Sequence, residues 1–221
     1  MDMQIQRCSL PLYENRDLRT LHTLNFVANF KKTMRVTYKA YSIDIIDDKT
    51  YTLNSVDNLV AYQLVYFEGE GYEDRFYPTS KHGIRVSLDN IEISSAIICE
   101  IGGATTIHEN SFVINNDSIF ICCCDKVYSL GLPNLDLKWI KRFDPATCFG
   151  IYEFGNDFII HGELQISKIN KKGELKWDFG ARDIFVLQNG GKAMTIDNDM
   201  IYLKDWEGYE YILDSNGKEI K

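Results

Sequence analysis

The stretch NDFIIHGELQISKINKKGELKW, residues 156–177, carries the pattern that decides the fold of this 221-residue chain. The turn residues Asn156 and Asp157 lead into a short apolar run, residues 158–160, and a second short run with alternating Ile, residues 165–169, follows after polar and glycine residues. A turn, NKKG, then leads into a third run that ends at Trp177. Short runs rich in Ile and Phe between turn-forming residues are typical of β-strands rather than helices. The stretch therefore predicts three consecutive short strands.

The same unit recurs on either side of this stretch. NDSIFI begins at Asn116 and NDMIY begins at Asn198, so the three Asn-Asp pairs start 40 and 42 residues apart. Each unit continues with a second apolar run and a turn, and two of the turns end in a glycine whose backbone freedom such turns need. The tripeptide LKW occurs at residues 137–139 and again at 175–177. Because Trp139 and Trp177 hold equivalent positions, we expect both to pack between neighbouring units.

Units of about 40 residues with three or four strands each resemble the blades of β-propellers. Over residues 105–221 the chain resembles blades of the pyrroloquinoline-quinone-enzyme or WD40-like kind, in which a strand pair, an Asp/Asn-x-Gly turn and a strand with Leu-x-Trp follow one another. It has a single Trp-Asp pair, at residues 177–178, and lacks the cofactor-binding residues of the quinone enzymes. The resemblance implies an all-β fold with three recognisable C-terminal units, in a small closed or a partial propeller. It implies no activity.

Residues 1–104 are less regular and predict a mainly β region that corresponds to one or two degenerate blades. Strands are predicted over residues 35–46, 59–67, 83–88 and 91–101, where β-branched and aromatic residues dominate. The stretch before residue 33 fits either a short helix, with Leu18, Leu21 and Phe26 on one face, or a strand over residues 24–30. We expect residues 1–104 and 105–221 to form one continuous domain.

The composition limits the partners of the chain. A net charge of −8 opposes the phosphate backbone, so nucleic acid is not expected as a ligand, whereas a basic protein would be attracted. No run is long enough to predict a membrane helix, and the N-terminus lacks a secretory signal pattern, so we expect a cytoplasmic protein that does not bind a membrane. The six cysteines are expected to be reduced thiols.

The sequence contains no catalytic motif. Cys122 and Cys124 would face the same side of a strand, and His161 lies in the equivalent strand of the next unit, so a zinc site is conceivable but lacks a fourth ligand. Packed small thiols are the favoured interpretation. The histidines show no metal or acid-base spacing, and no nucleophile signature is present. We therefore predict no catalytic residue, no metal, no cofactor and no enzymatic activity.

Two stretches that do not repeat are the predicted partner-binding sites. The stretch VYFEGEGYEDRFYP, residues 65–78, mixes carboxylates with aromatic side chains, the combination expected of a protein interface. The hairpin LKDWEGYEY, residues 203–211, carries a Trp without a repeat equivalent. The predicted contact residues are Glu68, Glu70, Tyr72, Glu73, Asp74, Trp206 and Glu207.

Three functions are compatible with these observations. The first is a non-catalytic protein-binding module, most concretely an immunity protein that neutralises a basic bacterial toxin. The second is a ligand-binding or enzymatic propeller whose pocket lies in the central channel, with Asp44, Asp47 and Asp48 as candidate lining residues. The third is a scaffold subunit of a larger assembly.

Overall fold

The computed structural model describes residues 3–7, 32–68 and 77–221. The regular elements in these residues are β-strands without any helix, so the predicted all-β fold is confirmed. In the same residues there is consequently no helix of the length and apolarity needed to cross a membrane. The helix or strand expected within residues 18–30 lies outside the described part of the chain.

Sheet 1 has six strands in the spatial order β1-β4-β6-β5-β3-β2. They are β1 (Met3–Arg7), β2 (Thr33–Tyr38), β3 (Tyr41–Asp47), β4 (Leu64–Glu68), β5 (Ser80–Leu88) and β6 (Ile91–Glu100). Strands β2, β3, β5 and β6 form an antiparallel meander like a blade, and β4 is added parallel to the far side of β6. The prediction of one strand over residues 35–46 is wrong, because the chain reverses at Lys39, which adopts a left-handed φ of 54°.

Sheets 2, 3 and 4 are antiparallel meanders in which each strand pairs with the next one along the chain. Sheet 2 contains β7 (Phe112–Asn115), β8 (Ser118–Cys123), β9 (Lys126–Gly131) and β10 (Leu137–Arg142). Sheet 3 contains β11 (Cys148–Phe154), β12 (Asp157–Gly162), β13 (Gln165–Ile169) and β14 (Leu175–Gly180). Sheet 4 contains β15 (Met194–Asp197), β16 (Met200–Lys204) and β17 (Glu210–Leu213). The three repeated units of the sequence are these three sheets.

The sheets pack face to face in chain order. On β8 the alternation of side chains sends Ile119 and Ile121 into the core shared with sheet 1, and Phe120 and Cys122 into the core shared with sheet 3. A third core lies between sheets 3 and 4 and contains Ile166. Sheets 2 and 3 therefore bury both of their faces by stacking on neighbouring sheets, as repeat architectures do, and sheet 4 buries one face against sheet 3.

Trp139 and Trp177 join neighbouring sheets, as their equivalent positions predict. Trp139 donates its Nε1–H to the main-chain oxygen of Lys171, and Trp177 donates to that of Ser215, both at 3.2 Å. Both acceptors lie in the glycine turn of the following sheet. A Cβ atom on Gly217 would lie 2.5 Å from the Trp177 ring, so the indole packs directly against that turn.

These sheets give the chain its propeller-like architecture. Strands β2, β11, β12 and β15 contribute residues to a common cavity, together with the links that precede β7 and β15. Within the described residues no hydrogen bond joins sheet 1 to sheet 4, and Tyr202 on the outer face of sheet 4 is 40% exposed. The choice between a closed and a partial form of the predicted propeller stays a prediction. The prediction that residues 1–104 and residues 105–221 form one continuous domain stays a prediction.

Candidate functional site

A cavity of about 740 Å³ opens at the end of the sheet stack where the chain passes from one sheet to the next. Its wall is largely apolar and includes Met34 of β2, Phe149 and Tyr152 of β11, Phe185 of the link before β15, and Met194 of β15. This volume lies within the range of small-molecule sites. The cavity is lined by β2 of sheet 1, by β11 and β12 of sheet 3, by β15 of sheet 4 and by the links before β7 and β15, so its lining is dispersed from Lys32 to Met194.

Two histidines line this cavity. His108 and His161 each place Nε2 within hydrogen-bonding distance of a main-chain oxygen, that of Phe149 at 2.9 Å and that of Phe185 at 3.2 Å. Because a carbonyl oxygen only accepts, Nε2 carries the proton in both rings. Burial lowers the pKa of His108 and lowers that of His161 to about 4, so both imidazoles are neutral at pH 7.

We expect the buried histidines to make the protein less stable in mild acid. Burial lowers the pKa of His82 to about 3 and that of His161 to about 4, below the 6.5 of an exposed histidine. Between pH 6.5 and 4 the unfolded chain therefore binds protons that the folded chain excludes, and stability falls as the pH falls. The free energy of unfolding should drop by at least about 2 kcal/mol between pH 6.5 and 4.5.

Urea unfolding at a series of pH values measures this loss. The variant His161→Gln has one titrating group fewer and should show a shallower slope between pH 6.5 and 4.5, whatever its stability at pH 7. Equal stability of the unsubstituted protein at pH 6.5 and 4.5 would contradict the assignment of neutral buried imidazoles.

The hairpin between β16 and β17, residues 205–209, presents Trp206 at the same end of the molecule. The Trp206 side chain is 41% exposed, and that of Tyr209 is 47% exposed. The main chain of Trp206 is fixed, since its N–H donates to the oxygen of Ile184 at 2.9 Å and its oxygen accepts from Gln188 Nε2 at 3.2 Å. Trp206 therefore lies partly exposed on a hairpin that is hydrogen-bonded to the link before β15, and its role in binding stays a prediction.

The acidic residues of this hairpin differ in their burial and in their ion pairing. Asp205 is fully buried and accepts hydrogen bonds from Tyr209 N and Tyr211 Oη, both at 2.8 Å, so it shapes the turn. Glu210 lies 3.2 Å from Lys221 and 3.9 Å from Lys204. Glu207 is exposed and forms no ion pair with the described residues. It is the carboxylate of the hairpin that is available to a partner.

The other predicted contact residues lie at the edge of the described chain. Glu68 is the last residue of β4, and its side chain is outside the described part. Glu70, Tyr72, Glu73 and Asp74 also lie outside the described residues, so their role stays a prediction.

The described cysteines are packed thiols. Cys122 belongs to the core between sheets 2 and 3, and β8 ends at Cys123. Cys124 is a turn residue with φ of 54°, so the expectation that Cys122 and Cys124 share a strand face is wrong. Within the described residues there is no group of three or more His, Cys, Asp or Glu side chains able to hold a metal ion.

The three aspartates considered for a pocket lie elsewhere. Asp44 accepts two hydrogen bonds from Arg35, at 2.6 and 2.8 Å, Asp47 lies 3.6 Å from the ammonium of Lys49, and Asp48 accepts from Tyr62 Oη at 3.0 Å. None of them lines the cavity. The sequence did not predict the cavity residues, because His108 and His161 share no motif and are 53 residues apart.

The chain matches no protein-family model and no curated protein. Among solved structures it is similar to BamB from Moraxella catarrhalis, with 13% identity and a TM-score of 0.45 over 63% of this chain and 42% of that one. It is also similar to the WD40 domain of Neurospora crassa Pan2, with 11% identity and a TM-score of 0.42 over 51% of this chain and 36% of that one. The AfRom2 CNH domain shows 10% identity and a TM-score of 0.45 over 92% of this chain and 60% of that one. In each case the match spans less than two thirds of the other chain, and the propeller-like assignment rests on the sheets themselves.

Proposed function

We propose that this chain is a non-catalytic protein-binding module whose contact surface is centred on Trp206. The observation that carries the proposal is an exposed indole on a hairpin whose main chain is already fixed at both Trp206 N and Trp206 O. Aromatic side chains supply large contact areas and are enriched among the residues that dominate binding energy, and a fixed main chain lowers the entropic cost of ordering the hairpin. The repeated Trp139 and Trp177, by contrast, are used between sheets.

Charge favours a basic partner. The chain carries a net charge of −8, and Glu207 beside Trp206 has no cationic partner among the described residues. An acidic contact surface accelerates association with a basic protein and discriminates against acidic ones. The most concrete form of the proposal is immunity, in which the chain covers a basic toxin domain.

The absence of catalysis is also part of the proposal. The cavity histidines donate to main-chain oxygens, as described above, and are not paired with a nucleophile. One hydroxyl–imidazole contact occurs among the described residues, between Thr105 Oγ1 and His82 Nε2 at 2.8 Å. His82 is completely buried and Thr105 is 8% exposed, so this pair is a part of the core rather than an accessible acid-base site.

Site-specific photocrosslinking in the native cell tests the proposal. With p-benzoylphenylalanine at position 206, we expect one dominant crosslinked product that contains a basic protein. The same residue at position 175, where Leu175 is 52% exposed on β14, is the matched control and should give no such product. The substitution Glu207→Lys should reduce the yield from position 206 severalfold.

Two results would contradict the proposed surface. One is an equal yield of crosslinked product from positions 206 and 175, and the other is capture of an acidic protein in a yield that Glu207→Lys leaves unchanged. The identity of the captured protein shows whether the chain is an immunity protein or a protein-binding module of another kind. Immunity requires that the partner be a toxin whose growth inhibition is relieved by this chain, whereas any other basic protein supports the binding module alone.

A further inference from the structure

The cavity lined by β2, β11, β12, β15 and the links before β7 and β15 combines an apolar wall with cationic groups at its rim. The side chains of Lys32 and Lys192 line it, and both residues are exposed. No ion pair with either ammonium is formed by the described residues. Lys126, Lys168 and Lys176, by contrast, each form an ion pair with a carboxylate. Glu109 is the one carboxylate among the described lining residues. The rim therefore carries an excess of positive charge in a protein whose net charge is −8.

The wall offers aromatic contact and an imidazole nitrogen that can accept a hydrogen bond. The rings of Phe149 and His161 meet edge to face with centroids 5.6 Å apart. His161 donates Nε2–H to the oxygen of Phe185, so its Nδ1 carries a lone pair, and no described group donates to that atom. Nδ1 of His108, by contrast, already accepts from the N–H of Asn110 at 3.3 Å. An acceptor on the cavity wall is satisfied by water or by a ligand that carries an N–H or O–H group.

We propose that this cavity binds a small planar aromatic molecule that carries a carboxylate and an N–H or O–H donor. The ring of the ligand packs against Phe149 and Tyr152, its carboxylate lies near the ammonium groups of Lys32 and Lys192, and its donor reaches His161 Nδ1. An apolar site with a few directional polar groups is the usual construction of a small-molecule pocket. This site is independent of the Trp206 surface, and either can exist without the other.

Three indoles that share one ring system separate the contribution of charge from that of apolar contact. The probes are indole-3-acetate, which is an anion, 3-methylindole, which is neutral, and tryptamine, which is a cation. Isothermal titration at pH 7.5 should show indole-3-acetate binding roughly tenfold more tightly than 3-methylindole, with tryptamine the weakest, because two nearby ammonium groups favour the anion.

Charge reversal at the rim provides a matched pair of variants. Lys192→Glu should abolish the preference for indole-3-acetate over tryptamine, which is more than about tenfold in the unsubstituted protein, because it replaces one of the two rim ammonium groups by a carboxylate. Lys172→Glu makes the same charge change at an exposed residue of the β13–β14 turn, outside the cavity, and should leave the preference intact. Circular dichroism spectra verify that both variants are folded.

Several results would overturn the proposal. They are the absence of binding by all three indoles at millimolar concentration, equal affinities for the anion and the cation, and an equal response to Lys192→Glu and Lys172→Glu. The comparison of the three probes on the unsubstituted protein is decisive even if a variant fails to fold. None of these results bears on crosslinking from position 206, so failure of the cavity proposal is distinguishable from failure of the proposed function.

Discussion

Replacing Asp144 by alanine is expected to lower the free energy of unfolding by about 4 kcal/mol. Asp144 is 1% exposed, in the link between sheets 2 and 3. Its Oδ1 accepts from the N–H groups of Ala146 and Thr147 at 2.7 and 3.0 Å. Its Oδ2 accepts from those of Leu164 and Gln165 at 2.8 and 3.0 Å. One carboxylate thereby ties the link to the turn between β12 and β13.

The size of the effect follows from the number of donors that lose their acceptor. Each buried N–H left without a partner costs about 1–3 kcal/mol, and water entering the space recovers a part of that cost. A Cβ atom on Gly162 would lie 2.2 Å from Asp144 Oδ2, so the surrounding chain is closely fitted around the carboxylate. Urea unfolding monitored by tryptophan fluorescence measures the loss.

Two variants serve as controls for Asp144→Ala. Asp144→Asn retains one acceptor oxygen and turns an amide N–H₂ toward the other donors, so an intermediate loss of about 2 kcal/mol is expected. Asp136→Ala removes an exposed carboxylate and should change stability by less than about 0.5 kcal/mol. A loss below 1 kcal/mol for Asp144→Ala would show that the four N–H groups find other partners.

Trp139→Ala is expected to destabilise the protein by about 3 kcal/mol, because it leaves a cavity between sheets 2 and 3. The indole packs against Phe120, with ring centroids 5.8 Å apart, and against Phe143 at 6.3 Å. It also covers Gly173, where a Cβ atom would lie 3.2 Å from the ring. The loss includes the hydrogen bond from Nε1 to the oxygen of Lys171.

Trp139→Phe separates these contributions, because it keeps most of the apolar contact and removes the Nε1–H donor. We expect it to cost about 1 kcal/mol. Trp206→Ala is the comparison at a position that does not repeat, and its cost should stay near or below 1 kcal/mol because the side chain is already 41% exposed. Urea unfolding of the three variants measures these losses in the free energy of unfolding. An equal loss for Trp206→Ala and Trp139→Ala would contradict the assignment of Trp139 to packing between sheets and of Trp206 to the surface.

The sequence was most informative where structure repeats. Equivalent spacing of Asn116, Asn156 and Asn198 predicted three sheets, and equivalent positions of Trp139 and Trp177 predicted their packing between sheets. Such features are readable because equivalent positions of a repeat meet the same physical demands, such as a turn between two strands or, in sheets 2 and 3, an aromatic ring against the next turn.

The parts that the sequence did not predict depend on contacts between distant residues or on turns without a strong residue signal. The hairpin at Lys39 has a left-handed residue that is neither Gly nor Asn. The parallel placement of β4 beside β6 results from the path of a long segment rather than from any local pattern. Asp144 and the lining of the cavity acquire their roles from main-chain groups and side chains brought together by folding.

The central claim is that the repeated tryptophans maintain the fold and the unrepeated Trp206 binds the partner. Its most direct test is the affinity of the crosslinked partner, once purified, for the unsubstituted protein and for Trp206→Ala. We predict at least a tenfold loss of affinity, since an exposed, pre-positioned Trp at the centre of an interface typically contributes about 2 kcal/mol or more. An unchanged affinity for folded Trp206→Ala would contradict the claim and move the binding surface away from this hairpin.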